Sequence, residues 1–325
     1  MFRLLIQKLK KNPKKIVFTE GEDPRILEAS ARLLSGTFLT PILIGDPETI
    51  YKVADDECLN IKGVQILQPS TYDKMDAMVE KMVELRRGKM TPEQCQAALQ
   101  QGNYFGTMLV AMGEADCLLG GATYSTADTV RPALQLIKTK PGNKIVSSCF
   151  ILVRPFATGG NQVLAMGDCA INIDPSEDDL VEITQEVVAC ARRFGVEPRV
   201  AMLSYSTMGS GSGPAVDKMR HACEKLKALD LDFPVDGEFQ FDAAVSPTVG
   251  RLKAPNSNVA GRANTFIFPE ISAGNIGYKI AQRMGNFDAY GPILLGLNAP
   301  INDLSRGCNA LEVYSMAIIT AALAD

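Results

Sequence analysis

The chain alternates short apolar runs with longer stretches that have the periodicity of amphipathic helices. Runs typical of buried strands lie at residues 15–19, 41–44, 115–119, 144–153, 163–166, 199–204, 265–268 and 291–295. Helical patterns lie at 1–15, 24–35, in two or three segments within 72–112, and at 134–138, 176–194, 214–229, 273–284 and 310–324. This alternation predicts an α/β fold of parallel sheets with crossover helices, and the strands at 144–153 and 163–166 are candidates to pair. A change of domain is expected near the turn-like Pro-Gly-Asn at 141–143.

Charge and hydropathy narrow the class of protein. Lysine and arginine number 33 against 37 acidic residues, a formal charge of −4. Such a balance gives no electrostatic basis for binding nucleic acid or an anionic membrane. No run approaches the roughly 18 apolar residues of a membrane span, and the first fifteen residues lack the pattern of a signal peptide. We therefore expect a cytoplasmic protein with small-molecule substrates, without a membrane or nucleic-acid partner.

The cysteines and the one histidine do not form a metal-binding pattern. Eight cysteines are present without a CxxC pair, and most lie in apolar runs. His221 is the only histidine, so no thiolate-imidazole zinc site can be assembled. The cysteines are expected to be reduced thiols in the core, and no metal site is predicted.

Open α/β sheets bind ligands beyond the carboxyl ends of their strands, which directs attention to the loops there. The first loop runs from residue 120 to 132 and contains Ser125, Thr126 and Arg131. Its hydroxyl and backbone N–H groups lie where a helix begins, a site that suits an anion. Pro132 favours the first turn of that helix, which would place Arg131 near the positive end of its dipole. The alternative is a capping loop with a surface arginine.

The second loop, between a strand and a helix at residues 204–214, is rich in glycine and hydroxyl groups. Its candidate anion-binding residues are Ser206, Thr207, Gly209, Ser210, Gly211, Ser212 and Gly213. Glycine permits close backbone approach to phosphate, although the loop matches neither the Walker A pattern nor GxGxxG. A loop that is merely flexible is the alternative.

The third loop, residues 297–309, contains Ser305 and Arg306, and here the sequence becomes specific. The run NDLSRGC resembles the signature of the phosphate acetyltransferase (phosphotransacetylase) family. Four further segments are similar to that family: STADTVRPALQ, RVAMLSYSTMGSGSG, DGEFQFDA and AGNIGYKIAQR. The five segments occur in order, and the similarity covers nearly the whole chain.

The resemblance implies a fold, a reaction and an assembly. The family catalyses acetyl-CoA + phosphate ⇌ acetyl phosphate + CoA by direct transfer in a ternary complex, as a homodimer and without a tightly bound cofactor. Its two-domain fold is similar to that of isocitrate and isopropylmalate dehydrogenases. For this chain the resemblance implies a first domain of residues 1–143 plus about 299–325, a second of 144–298, and an active site in the cleft between them.

The resemblance also assigns residues. Ser305 and Arg306 match the pair that contacts the reacting acyl phosphate, and Arg131 matches the arginine of STADTVRP. Arg86 matches a second arginine, with Arg87 as the alternative because the segment is one residue shorter than usual. Forked guanidinium groups suit a phosphate that is both leaving group and nucleophile.

Several further positions have two interpretations. Glu312 stands where the family usually has aspartate, the base proposed for the CoA thiol, but Asn309 and Glu312 also have the spacing of a helix cap. Asn275, Tyr278 and Lys279 are ligand candidates or residues that pack and cap a helix. Where many relatives have histidine before STAD, this chain has Tyr124.

Three rival functions share parts of this pattern. A phosphate butyryl- or propionyltransferase would have the same fold, because one methylene in an acyl pocket is worth only about 1–3 kcal/mol. A non-catalytic acyl-CoA-sensing module of the same fold would be expected to lose Ser305, Arg306 and Arg131. An NAD-dependent dehydrogenase is disfavoured because GxGxxG is absent.

Overall fold

The structure is a computed structural model that describes residues 2–156 and 160–324. The chain divides into two compact units, residues 1–142 with 297–325 and residues 143–296. Within the described residues, no helix has the length and apolar character needed to cross a bilayer. Seven of the eight cysteines are buried thiols and Cys58 is exposed, which agrees with the expected core thiols.

The first unit contains a sheet of five parallel strands in the order β11-β4-β1-β2-β3. Its elements are α1 (Phe2–Lys11), β1 (Lys14–Phe18), α2 (Pro24–Gly36), β2 (Leu39–Ile44), α3 (Pro47–Asp56), β3 (Gln65–Leu67), α4 (Met75–Arg86), α5 (Pro92–Ala98), α6 (Gly102–Ala111), β4 (Cys117–Gly120), α7 (Thr126–Pro132), β11 (Ile301–Asp303) and α13 (Ala310–Leu323). The last helix, α13, is apolar around most of its circumference and packs against α1, α2, β1 and β4. It therefore belongs to the core of this unit.

The second unit contains a mixed sheet of six strands in the order β10-β5-β6-β9-β7-β8. Its elements are β5 (Ser147–Pro155), β6 (Asn161–Gly167), α8 (Glu177–Arg193), β7 (Val200–Leu203), α9 (Pro214–Lys227), β8 (Val235–Phe239), α10 (Phe241–Val245), α11 (Pro247–Lys253), β9 (Thr265–Ile267), α12 (Ile271–Met284) and β10 (Asp288–Leu295). Strands β10, β5 and β6 pair antiparallel, and β6, β9, β7 and β8 pair parallel. The expected α/β class with parallel and mixed sheets is confirmed, as is the pairing of β5 with β6.

Three strands and three helices were not predicted from the sequence: β3, β8, β11, α3, α10 and α11. Strands β3 and β11 have only three residues, too few to show a period. The sequence of strand β8 contains the acidic residues Asp236 and Glu238 and so does not resemble a buried strand, yet all five of its residues are buried. Asp236 pairs there with Lys227 of α9, and a buried acid with a partner is tolerated in a strand.

The prediction that Pro132 lies in the first turn of a helix was wrong. Helix α7 begins at Thr126, so Arg131 lies near its carboxyl end, and a π-helical turn, Ala133–Ile137, continues directly from it. Pro132 cannot donate to the carbonyl of Asp128, four residues earlier. Asn103 Nδ2 donates a hydrogen bond to that carbonyl instead, at 2.8 Å. A neighbouring helix thus replaces the missing hydrogen bond, and the proline is tolerated inside the helical segment.

Candidate active site

Three loops meet at the carboxyl edge of the first unit's sheet. Strand β4 lies between β1 and β11, with Leu119 opposite Phe18 and Gly120 opposite Asp303. The loop that follows β4 therefore has the residues after β1 on one side and those at the end of β11 on the other. This is the edge at which parallel sheets bind ligands.

Ser305 and Arg306 lie in an exposed turn between β11 and α13. The turn is closed by the Gly307 N–H, which donates to Ser305 Oγ at 3.3 Å, and by the Cys308 N–H, which donates to the Ser305 carbonyl at 2.9 Å. Among the described residues, the Arg306 guanidinium has no hydrogen-bond or ion-pair partner. Both side chains are thus exposed to solvent, and their hydrogen-bond donors are available to a ligand.

The loop after β4 contributes Ser125, Thr126 and Arg131. Ser125 is the N-cap of α7, and its N–H and hydroxyl both donate to Asp128, at 3.3 and 2.7 Å. Arg131 is 58% exposed and lies 3.6 Å from the Asp128 carboxylate, one turn earlier. An exposed pair of this kind is weak, so the arginine can turn toward an anion.

Asp303, the last residue of β11, is a buried carboxylate that binds α7. Thr126 Oγ1 donates to its Oδ2 at 2.5 Å, and Thr129 Oγ1 donates to its Oδ1 at 2.6 Å. Burial raises the pKa of Asp303 to about 6, the two threonine hydroxyls oppose this rise, and the nearby Glu20 charge adds to it. The carboxyl is therefore close to its titration range near neutral pH.

Glu20 binds the other side of the same loop. Its Oε1 accepts from the N–H and the hydroxyl of Thr123, at 2.6 and 2.8 Å. Its Oε2 accepts from the Gly121 N–H at 3.0 Å and from Thr19 Oγ1 at 3.3 Å. All four lone-pair positions of this carboxylate are thereby used.

The two glycines that open the loop are required by these contacts. A Cβ on Gly120 would overlap the hydroxyls of Tyr124 and Thr19, and one on Gly121 would overlap Asp303 Oδ1. Gly121 also has φ +94°, a conformation that side chains disfavour. Tyr124 OH lies 2.7 Å from Thr19 Oγ1, and burial raises the pKa of this phenol, which keeps it protonated.

Arg25, in the first turn of α2, joins two of the three loops. Its Nη1 donates to the carbonyls of Arg306 and Cys308, at 2.9 and 3.1 Å, and its Nη2 donates to that of Ala122 at 2.9 Å. Asp23, the N-cap of α2, orients the same guanidinium through Nε and Nη2. Arg25 thus fixes the spacing between the turn of Arg306 and the loop after β4.

Glu312 forms the helix cap that its spacing predicts. The Glu312 N–H donates to Asn309 Oδ1 at 2.9 Å, and Glu312 Oε2 accepts from the Asn309 N–H at 3.0 Å. Both bonds of a capping box are present at the start of α13. One carboxylate oxygen is therefore committed to the helix.

Arg86 and Arg87 differ in their surroundings. Arg86 ends α4 and is half-buried, and its Nε is buried without a hydrogen-bond partner in the described part of the chain. Arg87 is exposed and caps the helix in a left-handed conformation, with φ +50°. An unpaired buried donor is costly unless a ligand satisfies it, which favours Arg86 as the anion-binding residue.

In the second unit, the glycine-rich loop is built around Glu238. This carboxylate, 1% exposed, accepts from Ser206 Oγ and the Gly209 N–H, both at 2.8 Å, and Ser206 Oγ in turn accepts from the Gly211 N–H at 2.9 Å. Ser206 and Thr207 are accordingly buried. Ser210, Ser212 and Gly209 are exposed and Gly213 is half-exposed, so the outer part of this loop is the part that a ligand can reach.

The remaining candidates lie on α12 and have partners within the second unit. Tyr278 stacks on Phe150 with ring centroids 3.8 Å apart. Asn275 Nδ2 donates to the Cys169 carbonyl at 3.2 Å, and its Oδ1 accepts from Lys279 Nζ at 2.6 Å. These contacts support the interpretation that the three residues pack and cap the helix.

Sequence reasoning did not select Glu20, Arg25, Asp303 or Glu238. Each lies at or directly after a strand, or in the first turn of the helix that follows. An acid within an otherwise apolar strand, or directly after one, was the available signal. What the sequence cannot supply is which donors surround that acid.

Comparison with known proteins identifies the family to which the whole chain is related. The sequence pattern described as "Phosphate acetyl/butaryl transferase" matches residues 1–321. The chain belongs to this family. It is 52% identical over 324 residues to the phosphate acetyltransferase of Bacillus subtilis (strain 168), an alignment that covers 100% of this chain and 99% of that relative.

Two solved structures of phosphotransacetylases have the same fold as this chain over nearly their whole length. One is a phosphotransacetylase from Streptococcus pyogenes, with 49% identity, a TM-score of 0.92 and coverage of 99% of this chain and 98% of that one. The other is the EutD phosphotransacetylase from Staphylococcus aureus, with 46% identity, a TM-score of 0.91 and coverage of 100% and 98%. The family prediction from the five sequence segments is confirmed.

Proposed function

We propose that this chain transfers an acetyl group reversibly between coenzyme A and inorganic phosphate: acetyl-CoA + phosphate ⇌ CoA + acetyl phosphate. The observation that carries the proposal is the match over the full length to phosphate acetyltransferases, together with retention of Ser305, Arg306 and Arg131. All three side chains are exposed, Arg131 on α7 after β4 and the other two in the turn after β11. Coenzyme A and phosphate enter as substrates.

Arg306 and Arg131 are proposed to hold the phosphoryl group. In the direction of acetyl phosphate synthesis a phosphate oxygen attacks the thioester carbonyl, and in the reverse direction the phosphate leaves. A guanidinium binds two phosphate oxygens through parallel hydrogen bonds and keeps its charge throughout. Arg86 is proposed as a further anion-binding residue because its buried Nε has no hydrogen-bond partner among residues 2–156 and 160–324.

Ser305 is proposed to donate a hydrogen bond to the acyl carbonyl oxygen. That oxygen becomes an oxyanion as the nucleophile adds, and a donor aimed at it is worth on the order of 10²–10³ in rate. In the reverse direction the CoA sulfur attacks the carbonyl of acetyl phosphate, the carbonyl–phosphate bond breaks, and the thiol proton leaves with solvent or a base. No acyl-enzyme is needed, because both substrates are present together.

Glu312 is proposed to act first as a helix cap. Carboxylates in general are much weaker bases than thiolates, so proton transfer from a thiol to a carboxylate is uphill in free energy. The capping box at the start of α13 supports this interpretation.

The test is phosphate-dependent release of CoA thiol from acetyl-CoA by the purified protein. We expect turnover, with losses on the order of 10²–10³ for Ser305→Ala and severe losses for Arg306→Gln. Arg3→Gln, which changes an exposed arginine on α1, is the matched control and should retain the wild-type rate. Absence of turnover by the wild-type protein would refute the function, and a fully active Arg306→Gln would refute the site.

Acyl-chain preference is tested in the same assay with butyryl-CoA and propionyl-CoA. We propose acetyl as the preferred group on the strength of the sequence segments. A higher kcat/KM for butyryl-CoA would reassign the substrate and leave the reaction class intact.

A homodimer belongs to this proposal and is supported by an apolar surface in the second unit. Ile276, Ile280 and Met284 follow one another at four-residue spacing on α12 and are 54–82% exposed. Beside them is a cavity of about 690 Å³ with an apolar lining that includes Phe241, Ile280 and Phe287. Exposed apolar patches of this kind are typical of protein interfaces.

Sedimentation velocity of Met284→Asp and Ile280→Asp tests the interface. A dimer in the wild type that dissociates in both variants is expected, whereas Leu4→Asp, at an exposed apolar position of α1, should leave the dimer intact. Dimers that persist in both α12 variants would exclude this surface. A cytoplasmic location is part of the same proposal, supported by the eight free thiols.

A further inference from the structure

Two carboxylates hold the loop after β4 from opposite sides. Glu20 follows β1 and accepts from Gly121, Thr123 and Thr19. Asp303 ends β11 and accepts from two threonines of α7. Because β1 and β11 are the two neighbours of β4 in the sheet, the loop is bound on both of its flanks.

Neither carboxylate has an ion-pair partner among the described residues. Asp303 is 1% exposed, and the charged groups that act on it are Glu20, which disfavours its ionisation, and Arg306, which favours it. An ionised carboxylate in such surroundings is costly, and the cost shows as a pKa raised to about 6. A neutral residue of the same shape would stabilise the fold better, so the charge needs a reason other than stability.

The segment that these carboxylates hold carries Ser125, Thr126 and Arg131, and Asp303 stands two residues before Ser305. Arg25 adds a third connection, from the loop after β4 to the turn of Arg306. The two substrate-binding segments of the first unit are therefore joined through one hydrogen-bonded network. A displacement of either segment by about 1 Å can cost on the order of 10² in rate.

We propose that Glu20 and Asp303 are positioning residues of the acetyl transfer: as paired acceptors on the two flanks of residues 121–129, they fix Arg131 relative to Ser305 and Arg306. The proposal rests on the proposed function. It assigns to Asp303 a second effect, because its negative charge stands two residues before Ser305 and attracts the Arg306 guanidinium at a distance.

The chemistry of the donors makes isosteric amides the informative variants. All four groups around Glu20 donate, so Glu20→Gln leaves two of them facing an NH₂ group that cannot accept. Asp303→Asn likewise keeps one acceptor for two hydroxyls and removes the charge. Glu22→Gln is the matched control. Glu22 is exposed, lies two residues from Glu20, and accepts from the Asp46 N–H at 3.0 Å.

The experiment measures kcat, KM for phosphate and melting temperature for the wild type and the three variants. We expect Glu20→Gln and Asp303→Asn to lose at least about tenfold in kcat or in kcat/KM for phosphate, on the scale set by misplacement. Glu22→Gln should match the wild type. Asp303→Asn is expected to melt at or above the wild-type temperature at pH 8, because it removes a buried charge. A loss of activity without a loss of stability is the result that a merely structural role cannot give.

The pH profile supplies an independent readout. As pH falls through about 6, Asp303 becomes protonated in the wild type, and we expect kcat to fall with it. The amide variant cannot titrate, so this part of the acid limb should be absent from the profile of Asp303→Asn.

A second pair of variants covers the case in which Asp303→Asn fails to fold. Thr129→Val removes one hydroxyl and should lower kcat, and Thr129→Ser keeps the hydroxyl and should restore it. Wild-type kinetics in Glu20→Gln and Thr129→Val, or losses that only follow the melting temperature, would overturn the proposal. An inactive wild-type protein would instead refute the proposed function, so the two failures are distinguishable.

Discussion

The Glu312 carboxylate in the capping box of α13 has two possible roles, a helix cap and a general base. The two roles predict effects of different size on stability and on kcat when the carboxylate is changed. Glu312→Gln retains an amide oxygen that can accept from the Asn309 N–H, now at 3.0 Å. Only the negative charge is lost, and its interaction with the helix N-terminus is worth about 0.3–1 kcal/mol. Asn309→Ala removes the oxygen that accepts from the Glu312 N–H, a cap worth about 0.5–2 kcal/mol.

These energies translate into separate readouts. For a domain of 150–250 residues, 1 kcal/mol shifts the melting temperature by about 2–4 °C. We expect Asn309→Ala to melt about 2–6 °C lower and Glu312→Gln at most a few degrees lower. If Glu312 is a cap, kcat of Glu312→Gln should stay within about tenfold of the wild type, equivalent to 1.4 kcal/mol of barrier.

A general base would behave differently. Its loss lowers kcat on the order of 10²–10⁴ and leaves the melting temperature nearly unchanged. Steady-state kinetics and differential scanning calorimetry on the two variants therefore decide the question. A fall of more than 10² in kcat of Glu312→Gln, with an intact melting temperature and an active Asn309→Ala, would refute the cap interpretation.

Three further predictions follow from individual contacts. The pKa of Asp303 is raised from 3.8 to about 6, so between about pH 4 and 6 the folded state keeps a proton that the unfolded chain has already lost. The free energy of unfolding should therefore fall as pH rises through this window, by up to the order of 3 kcal/mol. Urea titrations at pH 4.5 and 7 should show this fall in the wild type but not in Asp303→Asn. Arg86→Gln should raise KM for phosphate or CoA at least about tenfold, as loss of a charged hydrogen bond implies, whereas Arg87→Gln should not; initial-rate kinetics that reverse this order would assign the anion to Arg87. Tyr124→Phe loses the bond between its hydroxyl and Thr19 Oγ1 and should cost about 1 kcal/mol in a urea titration; an unchanged midpoint would show that this bond contributes nothing net.

Local chemistry made part of the site predictable. The NDLSRGC and STADTVRP segments identified the family, and Asn309 with Glu312 showed the spacing of a cap that the structure contains. The sequence could not distinguish Arg86 from Arg87, because the difference lies in burial. Arg86 Nε is buried, whereas the Arg87 side chain is exposed.

The sequence by itself determined the α/β class, the order of the long elements and the family, because apolar periodicity and short motifs are local properties. Only the tertiary structure decided that Glu20 and Asp303 face the same loop, since they are nearly three hundred residues apart and meet through the order β11-β4-β1. It also decided that Pro132 lies inside a helical segment, because the compensating bond comes from Asn103 on another helix. Contacts between distant segments depend on which strands are neighbours, and no local pattern encodes that choice.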